Sequence, residues 1–135
     1  MKLALKIVGG LFLVLVLVVV VEIIASESGE VVVVTTLDDA GTPAETRLWV
    51  VDHAGSAYLR SGSPQSGWFQ RMQTNPAITV VRGDLTMTAT VEPDVSLRDT
   101  VNGLMREKYG WADAYISMLF GREDATPIRI VPEAT

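Results

Sequence analysis

The sequence predicts a mainly β (α+β) fold, a small β-barrel with helices packed on its outside, preceded by one N-terminal transmembrane helix. Three observations support this prediction. Residues 3–25 are hydrophobic apart from two glycines, Lys6 and Glu22. Six strand-like runs follow, and four of them are joined as two hairpins by tight-turn residues. Two segments of helical spacing lie between the fifth and sixth runs, where they can cover the outside of a barrel.

The N-terminal segment is interpreted as a membrane anchor. Its uncharged centre, Ile7 to Val21, covers about 22 Å at ~1.5 Å per residue, short of the roughly 30 Å hydrocarbon core. The flanks complete the span, because Lys6 and Glu22 can extend toward the headgroups. A secretory signal peptide stays open as the alternative, although Ile23 stands where a cleavage site needs a small residue.

The same segment sets the domain boundaries and the expected orientation. Lys2 and Lys6 precede the span and stay in the cytoplasm under the positive-inside rule. The protein is therefore expected to be a single-pass membrane protein with its domain outside the cytoplasm. We assign residues 1–25 to the anchor or signal peptide, 26–30 to a linker and 31–135 to one domain. The anchor is expected to be a continuous helix with few contacts to the barrel.

Composition excludes several function classes. The chain has a formal net charge of −5, which argues against a nucleic-acid partner because such a protein needs a basic face. It contains no cysteine and one histidine, so neither a thiolate metal site nor a cysteine nucleophile is expected. His53 lies in a predicted hairpin turn, which indicates an exposed turn residue. No metal site and no catalytic residue are predicted.

Each strand is predicted from residue alternation and from the turn that bounds it. The first run consists of Val and Thr and is typical of a strand buried on both faces. The second and third runs form a hairpin with Gly55 in the left-handed position, and the fourth and fifth form another across Gly83. The six runs are Val31 to Leu37, Thr46 to Asp52, Ser56 to Ser61, Ala77 to Arg82, Leu85 to Glu92 and Ile128 to Val131.

Three helices are predicted between the strands. Ser66 to Thr74 is short and ends at Asn75-Pro76, because a residue before proline is disfavoured in a helix. Leu97 to Lys108 follows Ser96, which resembles a capping-box residue. Trp111 to Phe120 continues the helical spacing up to Gly121.

The stretch from Ala57 to Pro76, followed by the strand Ala77 to Val81, resembles the central signature of the split β-barrel flavin-binding superfamily. This superfamily includes pyridoxamine-phosphate-oxidase-like proteins and deazaflavin-dependent nitroreductases. Its pattern is a strand that ends in a Ser-containing loop, a short helix, an Asn-Pro pair and a barrel strand. Segments 105–109 and 125–132 are similar to those of a subgroup of unknown function. The resemblance implies a six-stranded antiparallel split β-barrel and a homodimer that binds cofactor between its subunits.

The loop before the short helix is predicted to bind an anion. Ser66 should cap this helix, whose free N–H groups and positive dipole end favour negative charge. A helix cap with solvated arginines is the alternative. Many relatives have Lys or Arg after the equivalent of Ser66, where this chain has Gly67. The resemblance implies that the phosphate of FMN or a deazaflavin contacts Arg60, Ser61, Ser63, Ser66 and Arg71.

Three further residues complete the predicted cofactor site. Arg47 and Trp49 share one face of their strand, and Trp49 could stack on an isoalloxazine-like ring. Trp68 could do the same. Ordinary packing is the alternative for both tryptophans.

Two functional classes follow. The first is a membrane-anchored oxidoreductase with nitroreductase-like or quinone-reductase-like hydride transfer, in which FMN or a deazaflavin supplies the chemistry. The second is a non-catalytic split-barrel ligand-binding or interaction module tethered to the membrane. The expected partners are the lipid bilayer through residues 3–25, a small-molecule cofactor and a second copy of the chain.

Overall fold

The computed structural model describes residues 1–133. A single 3₁₀ turn over Val95–Leu97 precedes the third helix. The elements, in chain order, are α1 (Lys2–Ser26), β1 (Val31–Leu37), β2 (Pro43–Trp49), β3 (Val51–His53), β4 (Ser56–Ser61), α2 (Gly67–Thr74), β5 (Ala77–Arg82), β6 (Leu85–Pro93), α3 (Arg98–Tyr109), α4 (Trp111–Phe120) and β7 (Thr126–Pro132).

Seven antiparallel strands form one curved sheet in the order β2-β1-β5-β6-β7-β4-β3. The two edge strands, β2 and β3, follow each other in the chain and are separated only by Val50. One bent segment therefore connects both edges of the sheet and gives it its barrel shape. The predicted fold is confirmed, but the strand count is seven because the run that begins at Thr46 is divided at Val50.

The bend at Val50 is stabilised by the end of α3. The hydroxyl of Tyr109 accepts the N–H of Val50 at 3.0 Å and donates to the carbonyl oxygen of Glu30 at 2.6 Å. Lys108 Nζ donates to the carbonyl oxygen of Val50 at 2.7 Å. These contacts supply the hydrogen bonds that a buried backbone group requires where the ladder is interrupted.

The barrel core is built from alternating strand residues and one face of α2. In β1, Val32, Val34 and Thr36 are buried and the residues between them are only half-buried. The prediction that β1 is buried on both faces was therefore wrong. Helix α2 adds Trp68, Phe69 and Met72 to the same core.

The local turn and cap predictions have mixed outcomes. Gly55 has a φ of 82°, and Ala54 before it has a φ of 51°, so both residues of this hairpin turn are left-handed. The capping box at Ser96 was wrong. Asp94 instead accepts the backbone N–H of Ser96 at 3.0 Å and caps the 3₁₀ turn.

Helix α1 is one continuous helix, long and apolar enough to cross a membrane, and none of its most apolar 18-residue window is buried. Its contacts with the barrel strands are few, as predicted, and lie at its C-terminal end. Ala25 is fully buried, and the carbonyl oxygen of Ser26 accepts the indole N–H of Trp49 at 2.8 Å. Along its length α1 also packs against α4, where the Tyr115 hydroxyl donates to the carbonyl oxygen of Val18 at 3.1 Å.

Candidate functional site

The serine loop between β4 and α2 is held by its own hydrogen bonds. The buried Ser61 hydroxyl donates to the carbonyl oxygen of Ser63 at 2.7 Å, and the Ser63 hydroxyl contacts Gln65 Oε1 at 2.7 Å. Ser66 precedes the first helical residue as predicted, but its hydroxyl makes no capping hydrogen bond. The first N–H groups of α2 therefore have no side-chain cap from Ser66.

Arg71 folds back along α2 toward the start of this helix. Its Nε donates to the hydroxyl of the buried Thr36 at 2.7 Å, which fixes the side chain. Its Nη1 lies 3.0 Å from the position that a Cβ at residue 67 would occupy. Gly67 therefore leaves room for the guanidinium, and Arg71 supplies a positive charge beside the first residue of α2.

The cavity at Arg71 has a volume of about 350 Å³. Within residues 1–133, no carboxylate forms an ion pair with Arg71. The cavity wall carries two aspartates and one arginine, a formal charge of −1, so Arg71 is the one cationic group there that can attract an anion and the two aspartates oppose it. The lining residues are Asp38, Asp39, Gly67, Gln70, Arg71 and Thr74.

Arg60 does not share this cavity. Its side chain is only 4% exposed, and its Nη2 lies 2.5 Å from Oδ1 of Asp113, which is 3% exposed. Nη1 of Arg60 also donates to Asn102 Oδ1 at 3.3 Å. The guanidinium therefore joins β4 to α3 and α4, and its charge is already paired inside the protein.

Trp49 and Arg47 lie where the barrel meets the end of α1. Trp49 stacks on Tyr109 with ring centroids 4.2 Å apart and an interplanar angle of 7°. Arg47 forms a bidentate pair with Glu27, in which Nε to Oε1 is 2.7 Å and Nη2 to Oε2 is 2.8 Å. A cavity of about 160 Å³ brings both residues together with Arg60; its walls include Ser26, Arg47, Leu48, Trp49, Arg60, Met105, Ile116 and Arg122.

Trp68 lies in the barrel core rather than on a surface. It is 8% exposed and makes an edge-to-face contact with Phe69, with ring centroids 6.3 Å apart. The structure does not bring the eight predicted site residues together. Arg71 lines the cavity at α2, and Trp68 lies in the core. The cavity beside α1 is lined by Arg47, Trp49 and Arg60, whereas the serine loop, which lines neither cavity, holds Ser61, Ser63 and Ser66.

Sequence reasoning missed two residues beside Arg60, namely Asp113 and Arg122. Arg122 Nη2 lies 3.9 Å from Asp113 Oδ1, so one carboxylate faces two guanidinium groups. Burial and the neighbouring Arg60 lower the pKa of Arg122 to about 10. Asp113 is a charged residue within the apolar spacing of α4, and this could have indicated that it has a buried partner. Nothing in the local sequence indicates Arg122.

Arg122 also lines the largest of the cavities at this end of the barrel, with a volume of about 660 Å³. Its walls contain three arginines and three acids, so it carries no clear excess of either charge: Arg98, Arg106, Arg122, Asp99, Asp113 and Glu123. Within residues 1–133, no group of three or more His, Asp or Glu side chains is placed to hold a metal ion.

Comparison with known proteins gives one sequence family. A family model described as "Uncharacterized protein conserved in bacteria (DUF2255)" matches residues 21–130. No curated protein matches the chain in sequence.

Solved structures with a similar fold include three with informative descriptions. HutZ, the heme storage protein from Vibrio cholerae, has a TM-score of 0.62 and 17% identity, over 82% of this chain and 87% of that one. An F420-H2 dependent reductase (FDR-A) has a TM-score of 0.59 and 22% identity, over 73% of this chain and 92% of that one. A putative pyridoxamine 5'-phosphate oxidase from Listeria innocua has a TM-score of 0.55 and 18% identity, over 83% of this chain and 90% of that one.

These identities are low, so the similarities describe the fold. The predicted resemblance to the split β-barrel flavin-binding superfamily, and to a subgroup of unknown function within it, is confirmed at that level.

Proposed function

The chain belongs to the DUF2255 family of proteins conserved in bacteria, and we propose that it is a membrane-tethered split-barrel protein that binds a phosphate-bearing flavin or deazaflavin for hydride transfer. The split-barrel fold shared with a deazaflavin-dependent reductase and an oxidase-like protein supports this proposal. The observation that carries it is the position of Arg71. Its guanidinium is held beside the first turn of α2, where a phosphate would meet both its charge and the free N–H groups.

The donor set at this turn suits a phosphate. Helix N-termini offer backbone N–H groups and a positive dipole end to anions. The Ser66 hydroxyl is not used as a cap and is able to donate to a phosphate oxygen. Arg71 is anchored through Nε to Thr36, which leaves its terminal nitrogens for a charge-assisted contact. In this proposal Ser61 and Ser63 shape the loop, and Arg60 positions the strand before it through Asp113.

The cofactor, when bound, supplies the hydride chemistry, and the protein binds and orients it. Trp49 already has one ring face covered by Tyr109, and Trp68 is packed against Phe69. Neither indole offers two free faces within one chain. We therefore expect a homodimer in which a second copy of the chain completes the enclosure of the ring system.

A non-catalytic ligand-binding or interaction module is the second candidate. This candidate is favoured because two residues expected to hold a flavin make contacts inside the protein instead. Arg60 is paired with Asp113, and Trp68 lies in the core. The heme storage protein among the similar structures has this fold without a flavin in its description. A module of this class would keep the barrel and the anchor without flavin affinity.

Titration of the full chain in detergent micelles with FMN and with a deazaflavin separates these candidates. We expect cofactor binding to quench tryptophan fluorescence. We also expect Arg71→Ala to weaken binding by roughly 10-fold to 100-fold, because a charge-assisted contact contributes about 1.5–3 kcal/mol. Arg129→Ala is the matched control, since Arg129 is a half-exposed arginine that pairs with Glu92 on the neighbouring strand.

The outcomes differ for each candidate. Tight binding that Arg71→Ala leaves unchanged would place the phosphate elsewhere on the barrel. Absence of binding for every flavin tested would favour the module. Repeating the titration over a range of protein concentrations tests the homodimer, because a site shared between two copies weakens on dilution.

A further inference from the structure

In helix α4 the charged residue is buried and apolar residues are exposed, which is the reverse of the pattern in a helix that faces water. Its one charged residue, Asp113, is buried, whereas Met118 is 76% exposed and Phe120 is 65% exposed. A surface helix normally turns its apolar stripe to the core and its polar face outward. Every exposed residue of α4 is apolar: Trp111, Ala114, Met118, Leu119 and Phe120.

Helix α3, which directly precedes α4, provides an internal comparison. It buries Val101, Met105 and Tyr109 against the barrel and so follows the ordinary pattern. None of its exposed residues has a large apolar side chain: Asp99, Thr100, Gly103, Arg106, Glu107 and Lys108. The two helices belong to the same domain, so the inverted pattern is specific to α4.

Three polar side chains of α4 find partners inside the protein. Asp113 pairs with Arg60 at 2.5 Å, and the Ser117 hydroxyl accepts from Nε of Arg122 at 3.2 Å. The Tyr115 hydroxyl donates to the carbonyl oxygen of Val18 in α1 at 3.1 Å. Apart from the indole N–H of Trp111, at the start of the helix, no side chain of α4 therefore requires water, which is the condition for a helix in contact with hydrocarbon.

The contact with Val18 sets the position of α4 relative to a bilayer. Val18 lies within the uncharged centre of α1 and four residues before Glu22, a separation of about 6 Å along the helix axis. If α1 spans the membrane with Glu22 near the headgroups, the Tyr115 side chain reaches below that level. The exposed apolar face of α4 is then continuous with the lipid-facing surface of α1.

We propose that α4 is a second membrane-embedded element, an interfacial helix that presents Trp111 and Met118 to lipid beside α1 and holds the barrel against the bilayer. This inference rests on the membrane tether in the proposed function. An interfacial helix of this kind gains free energy from its buried apolar area, and a tryptophan at one end suits the headgroup region.

The absence of cysteine allows a direct test with single-cysteine variants of the full chain in phosphatidylcholine vesicles. The variants are Met118→Cys on α4, Leu15→Cys on α1 and Glu107→Cys on α3, each labelled with bimane. Doxyl-labelled lipid quenches a fluorophore in the membrane, and aqueous iodide quenches one in water. We expect lipid quenching at positions 118 and 15 that is several-fold stronger than at position 107, which should respond to iodide.

The three positions separate the failure of this inference from the failure of the anchor. Lipid quenching at 15 with iodide quenching at 118 would overturn the role of α4 and leave the anchor intact. Lack of lipid quenching at 15 would overturn the anchor and this inference with it. Shielding of 118 from both quenchers would show that protein, such as a second copy, covers α4, and would also overturn a lipid-facing role.

Discussion

Replacing Asp113 with alanine tests the buried charge cluster that joins the barrel to α4. Asp113 is 3% exposed and pairs with Arg60, whose side chain is 4% exposed. Arg122 lies 3.9 Å from the same carboxylate. Removing Asp113 leaves the buried guanidinium of Arg60 and the half-buried guanidinium of Arg122 without the carboxylate that faces them both. Asn102, a neutral group at 3.3 Å, is the hydrogen-bond partner that Arg60 retains.

The expected loss of stability is large. Removing one partner of a buried ion pair costs about 3–5 kcal/mol, because the other charge stays in the interior. We expect about 4 kcal/mol here, which lowers the Tm by roughly 20 °C for a domain of about 100 residues. Urea titration of the full chain in detergent micelles, followed by tryptophan fluorescence, measures the free energy of unfolding of the barrel.

Two further variants make the result decisive. Asp99→Ala removes an exposed carboxylate that lines the same cavity as Asp113, and it should change stability by less than about 0.5 kcal/mol. The double variant Arg60→Met with Asp113→Leu removes both buried charges and should stay close to wild type. A loss below about 1 kcal/mol for Asp113→Ala would refute the reasoning.

Three other predictions concern the bend at Val50, the ion pairs of Arg82 and the orientation of the chain in the membrane. Tyr109→Phe should lower the free energy of unfolding by about 1–3 kcal/mol, because it leaves the N–H of Val50 without its partner; urea titration measures this. Hydrogen bonds from Arg82 hold the pKa of Glu30 and of Asp52 below their usual values of 4.5 and 3.8. Their stabilisation is therefore present above those values and lost as pH falls below them, and Arg82→Gln should flatten the dependence of the urea midpoint on pH. A reporter active only outside the cytoplasm, fused to the C-terminus, should be active if the positive-inside orientation is correct, whereas activity of a cytoplasmic reporter alone would contradict it.

The strands and turns were largely predictable because their signals are local. Alternation and turn residues located both hairpins, including the left-handed Gly55. The division of the second run at Val50 was not predictable in this way. It depends on Tyr109 and Lys108, which are more than fifty residues away and supply hydrogen bonds to the bent backbone. A sequence pattern reports the periodicity of a strand but not the tertiary contact that interrupts it.

The candidate site was less predictable than the fold. An arginine at the end of a strand fits a phosphate or a buried carboxylate equally well, and the choice for Arg60 depends on Asp113 in a distant helix. A tryptophan is similarly ambiguous, because stacking on a ligand and packing in a core require the same ring. Arg71 belongs to the last turn of α2, and only its guanidinium returns to the start of the helix, so its role in binding stays a prediction. The role of Gly67 became clear only from the 3.0 Å approach of the guanidinium.

The pair of Arg60 and Asp113 connects the two surfaces for which functions are proposed. Arg60 immediately precedes Ser61, where the serine loop begins, and Asp113 lies on the barrel-facing side of α4. Because this ion pair fixes the rotation of α4 about its axis, it also determines that Met118 points away from the barrel. The ion pair therefore positions β4, which leads into the serine loop, and it also orients the exposed apolar face of α4 beside α1. A change in how α4 meets lipid would reach the loop through one buried pair of side chains.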